Sequence, residues 1–177
     1  MMPPSKYAQV ERERRFLLNQ FPKNPPILRT RQITDHYIEN TTLRLREQRE
    51  DGAPNIYKLT QKLPAVANGA QQGFITSMFL TADEFSVFAE LPSKVLCKTR
   101  FSIPPFGVDR FAGTLAGLLM AEAEFDSAAA AQALVLPPWN SKEVSNDIRF
   151  TGGNLVHSSP GDIQTWALEY GVKIAFA

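Results

Sequence analysis

Val10-Glu11-Arg12-Glu13-Arg14-Arg15-Phe16 sets Glu11, Glu13 and Arg15 two residues apart, with Arg12 and Arg14 between them. Residues two apart share a face of a strand, so one face of this segment carries two acids and a base. Four further stretches have the same alternation. Arg44 and Arg46 oppose Leu43 and Leu45. Lys58, Thr60 and Lys62 oppose Tyr57 and Leu59. Lys98 and Arg100 oppose Cys97, Thr99 and Phe101, and Glu122 and Glu124 oppose Ala121, Ala123 and Phe125. A sheet with one wet face also alternates polar with apolar residues, but it mixes its polar residues, because neighbouring like charges repel unless an opposite charge lies between them. Same-sign pairs on five segments fit a sheet closed into a barrel, whose inward faces make a lumen with an acidic and a basic side. A polyanion suits the Arg/Lys rows, since guanidinium forks match phosphate oxygens and Lys adds compact point charges. Carboxylates are ligands for Mg²⁺ or Mn²⁺, which would sit between the acids and that polyanion.

The remaining sequence is consistent with one compact unit over residues 1–177, with a flexible tail at 1–6. Of its 177 residues 44% are hydrophobic, which excludes a disordered chain. The longest apolar stretch, Leu115 to Ala121, is far too short to span a membrane. No apolar run follows the first charges, so no secretory signal is expected. Cys97 is the only cysteine, which precludes an internal disulfide and fits a reducing cytoplasm. Net charge is +1, but residues 1–62 hold 12 Lys+Arg against 7 Asp+Glu, and residues 63–177 hold 7 against 11. The bases recur at alternate positions instead of in runs, so the pattern is that of a lined surface and not of a nucleic-acid tail.

Pro and Gly punctuation (Pro25-Pro26, Gly52, Pro64 to Gly73, Pro104-Pro105, Pro137-Pro138) predicts strands near 7–18, 31–39, 42–49, 55–62, 73–80, 94–102, 106–111, 117–126 and 146–151. Thr81-Ala82-Asp83-Glu84 reads as a capping box, with Phe85 and Phe88 as core contacts. Asp126 or Ser127 would cap an alanine-rich helix ending before Pro137, and Ser159-Pro160 would start another that stops at Gly171. Many antiparallel strands with few helices mean an α+β chain, mostly β, built as a barrel or sandwich. His36 and His157 are too few for a histidine metal site and are read as structural or surface residues. Cys97 faces away from the Lys98/Arg100 row as a small hydrophobe. Phe85, Phe88, Leu118, Trp139 and Trp166 are read as packing, and Arg12 and Arg14 as outer surface. The pattern does not fix the face of Asp109.

The ordered set ERERR at 11–15, LRLRE at 43–47, YKLTQK at 57–62, KTR at 98–100, GLLMAEAEF at 117–125 and NDIRF at 146–150 resembles the CYTH superfamily of triphosphate tunnel metalloenzymes, from residue 9 to about residue 155. That resemblance implies an eight-stranded antiparallel closed β-barrel tunnel with a few flanking helices, binding a small triphosphate together with Mg²⁺ or Mn²⁺. It implies Glu11, Glu13, Glu122, Glu124 and Asp147 as metal ligands, and Arg15, Arg44, Arg46, Lys58, Lys62, Lys98 and Arg100 as the grip on the phosphates. Glu11, Glu13, Arg15, Glu122 and Glu124 would form the catalytic centre. Asp109 aligns loosely with an acid common in the family. Two departures stand out. Arg15 replaces the usual Lys, which excludes a proton-accepting role at that position. No acid occurs between Asp51 and Asp83, where relatives often carry a further acidic pair.

The expected activity is metal-dependent hydrolysis of a triphosphate, foremost inorganic tripolyphosphate. An adenylyl cyclase or thiamine triphosphatase of the same fold is the alternative, and the missing acids favour a non-catalytic phosphate-binding module. A single-stranded RNA binder would want aromatics interleaved with the bases, and the basic faces carry none. No nucleic-acid or membrane partner is therefore expected, and oligomeric state is left open.

Overall fold

A computed structural model describes residues 5–64 and 71–176; of the expected tail, residues 1–4 lie outside the described residues. The alternating segments form β1 (Gln9–Leu18), β2 (Arg29–Ile38), β3 (Leu43–Arg49), β4 (Ile56–Pro64), β5 (Gln71–Leu80), β6 (Ser93–Ile103), β7 (Phe106–Phe111) and β8 (Leu119–Glu124). All pair antiparallel in the order β5-β4-β3-β2-β6-β7-β8-β1, and pairing of β1 with β5 closes the ring into the expected eight-stranded barrel. β1 makes the closure by dividing its length. Gln9 to Arg12 pair with β5 and Glu13 to Leu17 with β8, with a register shift between Glu11 and Arg12.

The strand expected at 146–151 does not form. Ile148–Phe150 is a 3₁₀ turn begun by Asp147, whose Oδ1 accepts from the Arg149 N–H at 3.0 Å. A short β9 (Ser141–Glu143) lies upstream instead, paired with Phe16 to Leu18.

Two apolar clusters fix the barrel. Outside it, Phe16 and Leu18 of β1 pack with Val108, Ala121 and Ala123 and are covered by Leu134 and Trp139. The small Ala side chains on β8 let that cover lie close. A second cluster joins Leu17, Leu96, Phe111 and Met120 to Phe150, Leu155 and Ile163 of the C-terminal segment. That segment includes α3 (Gly152–Leu155) and α4 (Pro160–Glu169), with a Ser159/Asp162 capping box, and its chain leaves α4 through Gly171 at φ +70°. Preceding these, α1 (Ala82–Ala89) has the predicted Thr81/Glu84 box, and α2 (Ala128–Gln132) is capped by Ser127 but ends at Ala133, short of Pro137. Phe85 and Phe88 are half-buried, not core, and α1 buries no residue fully. Phe85 lies against Tyr57 at 4.6 Å between ring centroids, on the outer face.

Gly152 is where α3 meets the barrel wall. A Cβ there would stand 2.1 Å from Tyr37 Oη. Gly152→Ala is therefore expected to destabilise the protein by about 1–3 kcal/mol, the range for overpacking, measured as a lower midpoint in urea unfolding.

Candidate active site

The inward faces of the strands enclose a cavity of about 680 Å³. Its lining includes Glu11, Glu13 and Arg15 of β1, Arg44 and Arg46 of β3, Lys58 and Lys62 of β4, Lys98 and Arg100 of β6, and Glu122 and Glu124 of β8. The period-two spacing carries them inward, and the closed ring brings acids of β1 and β8 to one side and bases of β3 and β4 to another. Asp147 is not among them. It caps the 3₁₀ turn, and its carboxylate accepts from Arg149 Nη2 at 2.7 Å and Tyr170 Oη at 2.9 Å. The resemblance placed Asp147 on a strand entering the tunnel, and because 146–151 is not a strand its carboxylate is spent on the C-terminal segment.

Several other readings hold as geometry. Arg14 leaves the barrel and makes a two-pronged pair with Glu143 at 2.8 and 2.6 Å; Arg12, also expected on the outer surface, instead lines the cavity and bonds the Asp126 carbonyl. Cys97 is half-buried on the face opposite Lys98. His157, read as a loop residue, lines the cavity, as do Tyr37, Thr60 and Ser77.

Inside, opposite charges are matched closely. Lys62 Nζ donates to Glu11 at 2.6 Å, and Arg15 donates to Glu13 at 3.1 Å and to the Ser145 carbonyl at 3.0 Å. Arg100 reaches Asp109 through Nε and Nη2, both at 2.6 Å, and also donates to Glu122; Lys98 donates to the same Asp109 at 2.5 Å. Gly107, paired with Glu122 across β7–β8, leaves room for the Arg100 side chain, whose Cδ would lie 3.2 Å from any Cβ there. Asp109 is thus an inward, fully buried acid. Asp35 of β2 is another, 1% exposed, and no like-charged neighbour on its own strand marked it in the sequence. It accepts from Arg46 Nε and Nη2 at 2.6 and 2.7 Å.

The carboxyls respond to these partners in opposite directions. Burial would raise Asp35, but Arg46 and Arg44 outweigh it and hold the group well below the usual carboxylate range. Asp35 therefore contributes stability above pH ~4 that is lost as pH falls further. Burial is likewise outweighed at Glu122, by Lys98, Arg100 and Arg15, and its pKa falls. Glu13 goes the other way. Burial, then the Glu122 carboxylate, push it from 4.5 to about 7 against the pull of Lys62 and Arg15. Its folding cost therefore grows as pH rises from ~4 towards 7.

That crowding bears on whether the acids suit a cation. Glu11, Glu13, Glu122 and Glu124 offer only oxygen donors, and Glu13 pairs in register with Glu124. A hard dication fits this chemistry, and Glu13 is raised first by burial and then by the neighbouring Glu122 carboxylate. Among the described residues no three Asp, Glu, His or Cys side chains converge as a ready ligand cluster, because Lys62, Arg15 and Arg100 engage three of these acids.

An inorganic triphosphatase of Nitrosomonas europaea is 32% identical over 160 residues, covering 85% of this chain and 99% of that protein. This chain belongs to the inorganic triphosphatase family. The crystal structure of the inorganic triphosphatase NE1496 overlays it with a TM-score of 0.55 at 27% identity, covering 86% of this chain and 98% of that one. A further crystal structure of NE1496 gives 0.54 at 28%, covering 85% and 100%. No protein-family model matches. In this inorganic triphosphatase relative the inward face of β5 brings Ile75 and Ser77 to the cavity, so that wall carries no acid. Ser77 instead shares a hydrogen bond with Thr60 at 2.9 Å. Among the described residues no helix is long and apolar enough to cross a membrane.

Proposed function

We propose that this protein is a triphosphate tunnel metalloenzyme of the CYTH type that hydrolyses inorganic tripolyphosphate to diphosphate and phosphate. The two-signed lumen carries the proposal. Triphosphate is a small polyanion, and three strands turn Arg and Lys rows towards one cavity while two others turn carboxylates towards it. Arg44, Arg46, Lys98 and Arg100 donate to the phosphate oxygens, guanidinium forks fixing orientation and lysines adding charge. Glu11, Glu13, Glu122 and Glu124 would hold Mg²⁺ or Mn²⁺, which supplies charge neutralisation and activates water for in-line attack. In the reaction the water oxygen bonds the terminal phosphorus, the bridging P–O bond breaks and diphosphate leaves. Arg15 cannot accept the proton of the attacking water, and this reading gives that role to a lumen carboxylate. The free Cys97 accords with a cytoplasmic setting.

A second reading has one observation in its favour. Without acids on β5, the lumen would bind phosphate chains without cleaving them. Phosphate release from tripolyphosphate, ATP and thiamine triphosphate, with Mn²⁺ or Mg²⁺ present, separates the two. Tripolyphosphate is expected to be cleaved at least tenfold faster than the others. Absence of cleavage with a tripolyphosphate-dependent rise in melting temperature would establish the binding module instead.

A further inference from the structure

Asp35 has no place in the chemistry above. Its side chain is 1% exposed and does not line the cavity, so it does not meet a ligand. The two guanidinium groups that it pairs with, of Arg44 and Arg46, do line it. Arg46 grips it through Nε and Nη2 at 2.6 and 2.7 Å, and Arg44 Nε lies 3.5 Å from Oδ1. The register explains the arrangement: Asp35 stands opposite Arg46, Tyr37 opposite Arg44, and Lys58 flanks Arg46 from β4. Lys58 lies over the Phe79 ring at 4.8 Å, and among the described residues it has no carboxylate within ion-pair distance. Three cations therefore crowd one edge of the lumen around a single acid set behind them.

We propose that Asp35 is a positioning residue for the phosphate grip: it locks the Nε/Nη2 edge of Arg46 against the wall, aims the opposite edge into the lumen and lets Arg44 stand beside it. This rests on the reading that the row binds triphosphate. A buried acid that holds one edge of a guanidinium spares the side-chain entropy otherwise lost on binding. It also screens the repulsion between Arg44 and Arg46, which share one face two residues apart.

The alternative role for Asp35 is simple charge compensation, and the two differ in sign. Charge counting says that Asp35→Asn removes one negative charge near the ligand and tightens binding of a polyanion. Positioning says that binding weakens, because the neutral amide cannot accept both prongs of the guanidinium. KM and kcat for tripolyphosphate, and the shift in melting temperature caused by tripolyphosphate alone, are measured on wild type and Asp35→Asn. The expected result is a KM at least tenfold higher with kcat within threefold, and a smaller ligand-induced shift. A KM that is unchanged or lower overturns the proposal. A purely structural lesion, which reduces the active fraction and so kcat at constant KM, overturns it as well. If Asp35→Asn does not fold, Arg46→Lys keeps the charge but loses the fork, and it is expected to raise KM by the same order; an unchanged KM there rejects the proposal. A wild type whose melting does not respond to tripolyphosphate refutes the underlying reading itself, and this proposal with it. A responsive wild type matched by an equally responsive variant removes the proposal alone.

Discussion

Arg100→Ala is expected to lower kcat/KM for tripolyphosphate at least a thousandfold and to lower the melting temperature by about 10 °C. The two losses share one origin. Among the described residues Arg100 alone joins Asp109 to Glu122, giving both oxygens of Asp109 a 2.6 Å partner and donating to Glu122 from the same Nη2. Without it, Asp109 keeps Lys98 alone among the described residues, and the half-buried Glu122 loses its hydrogen-bond donor. Stranding a buried charge in this way costs about 3–5 kcal/mol, and each kcal/mol moves the midpoint of a domain of this size by roughly 2–4 °C. The kinetic loss has a second component. Arg100 also supplies guanidinium charge where phosphate oxygens would sit, and a thousandfold loss corresponds to about 4 kcal/mol of transition-state stabilisation. Arg100→Lys separates the two, because it retains the charge without the fork and is expected to recover part of the stability with little of the rate. Wild-type melting behaviour together with kcat/KM within tenfold of wild type for Arg100→Ala would contradict this account of the lumen.

Removal of divalent cations is expected to abolish turnover, at least a thousandfold below the Mg²⁺- or Mn²⁺-supplemented rate, and re-addition to restore it. The carboxylates of β1 and β8 give the reason. Four acids on neighbouring strands would face the bound polyanion, and Glu13 is already pushed to about 7 by burial and by Glu122. Adding phosphate charge to that side without a cation would leave the acids and the substrate repelling each other. Chelator-treated protein, freed of chelator, is assayed for phosphate release with and without Mn²⁺. Undiminished hydrolysis in the metal-free sample would show that Lys and Arg alone neutralise the reaction and would remove the proposed role of the Glu set.

The barrel was readable because its decisive signal is local. A two-residue period fixes the face of every side chain on a strand, so Glu11, Glu13, Arg44, Arg46, Lys98, Arg100, Glu122 and Glu124 could be assigned to one side before any pairing was known. What pairing alone decides was hidden. The residues two positions from Asp35, Ile33 and Tyr37, carry no charge, and its partner Arg46 stands opposite it on β3, so its role depends on a neighbour that no spacing within β2 reveals. Asp109 was ambiguous for the same reason, as its partners Lys98 and Arg100 lie on β6. Asp147 misled because Asn146 to Phe150 matches a strand motif in letters, while Asp147 capping the Arg149 N–H stabilises a turn instead. His157 entered the cavity lining through the fold of the C-terminal segment over the barrel end, which no motif encodes.

The most direct examination is a crystal structure of the protein with Mn²⁺ and a slowly hydrolysed tripolyphosphate analogue, the metal located by its anomalous scattering. The phosphorus atoms are expected within the barrel, with oxygens bonded to Arg44, Arg46, Lys98 and Arg100 and manganese against Glu11, Glu13, Glu122 or Glu124. Phosphates bound on the outer wall, or manganese held by Asp147 and its neighbours with the lumen empty, would contradict it.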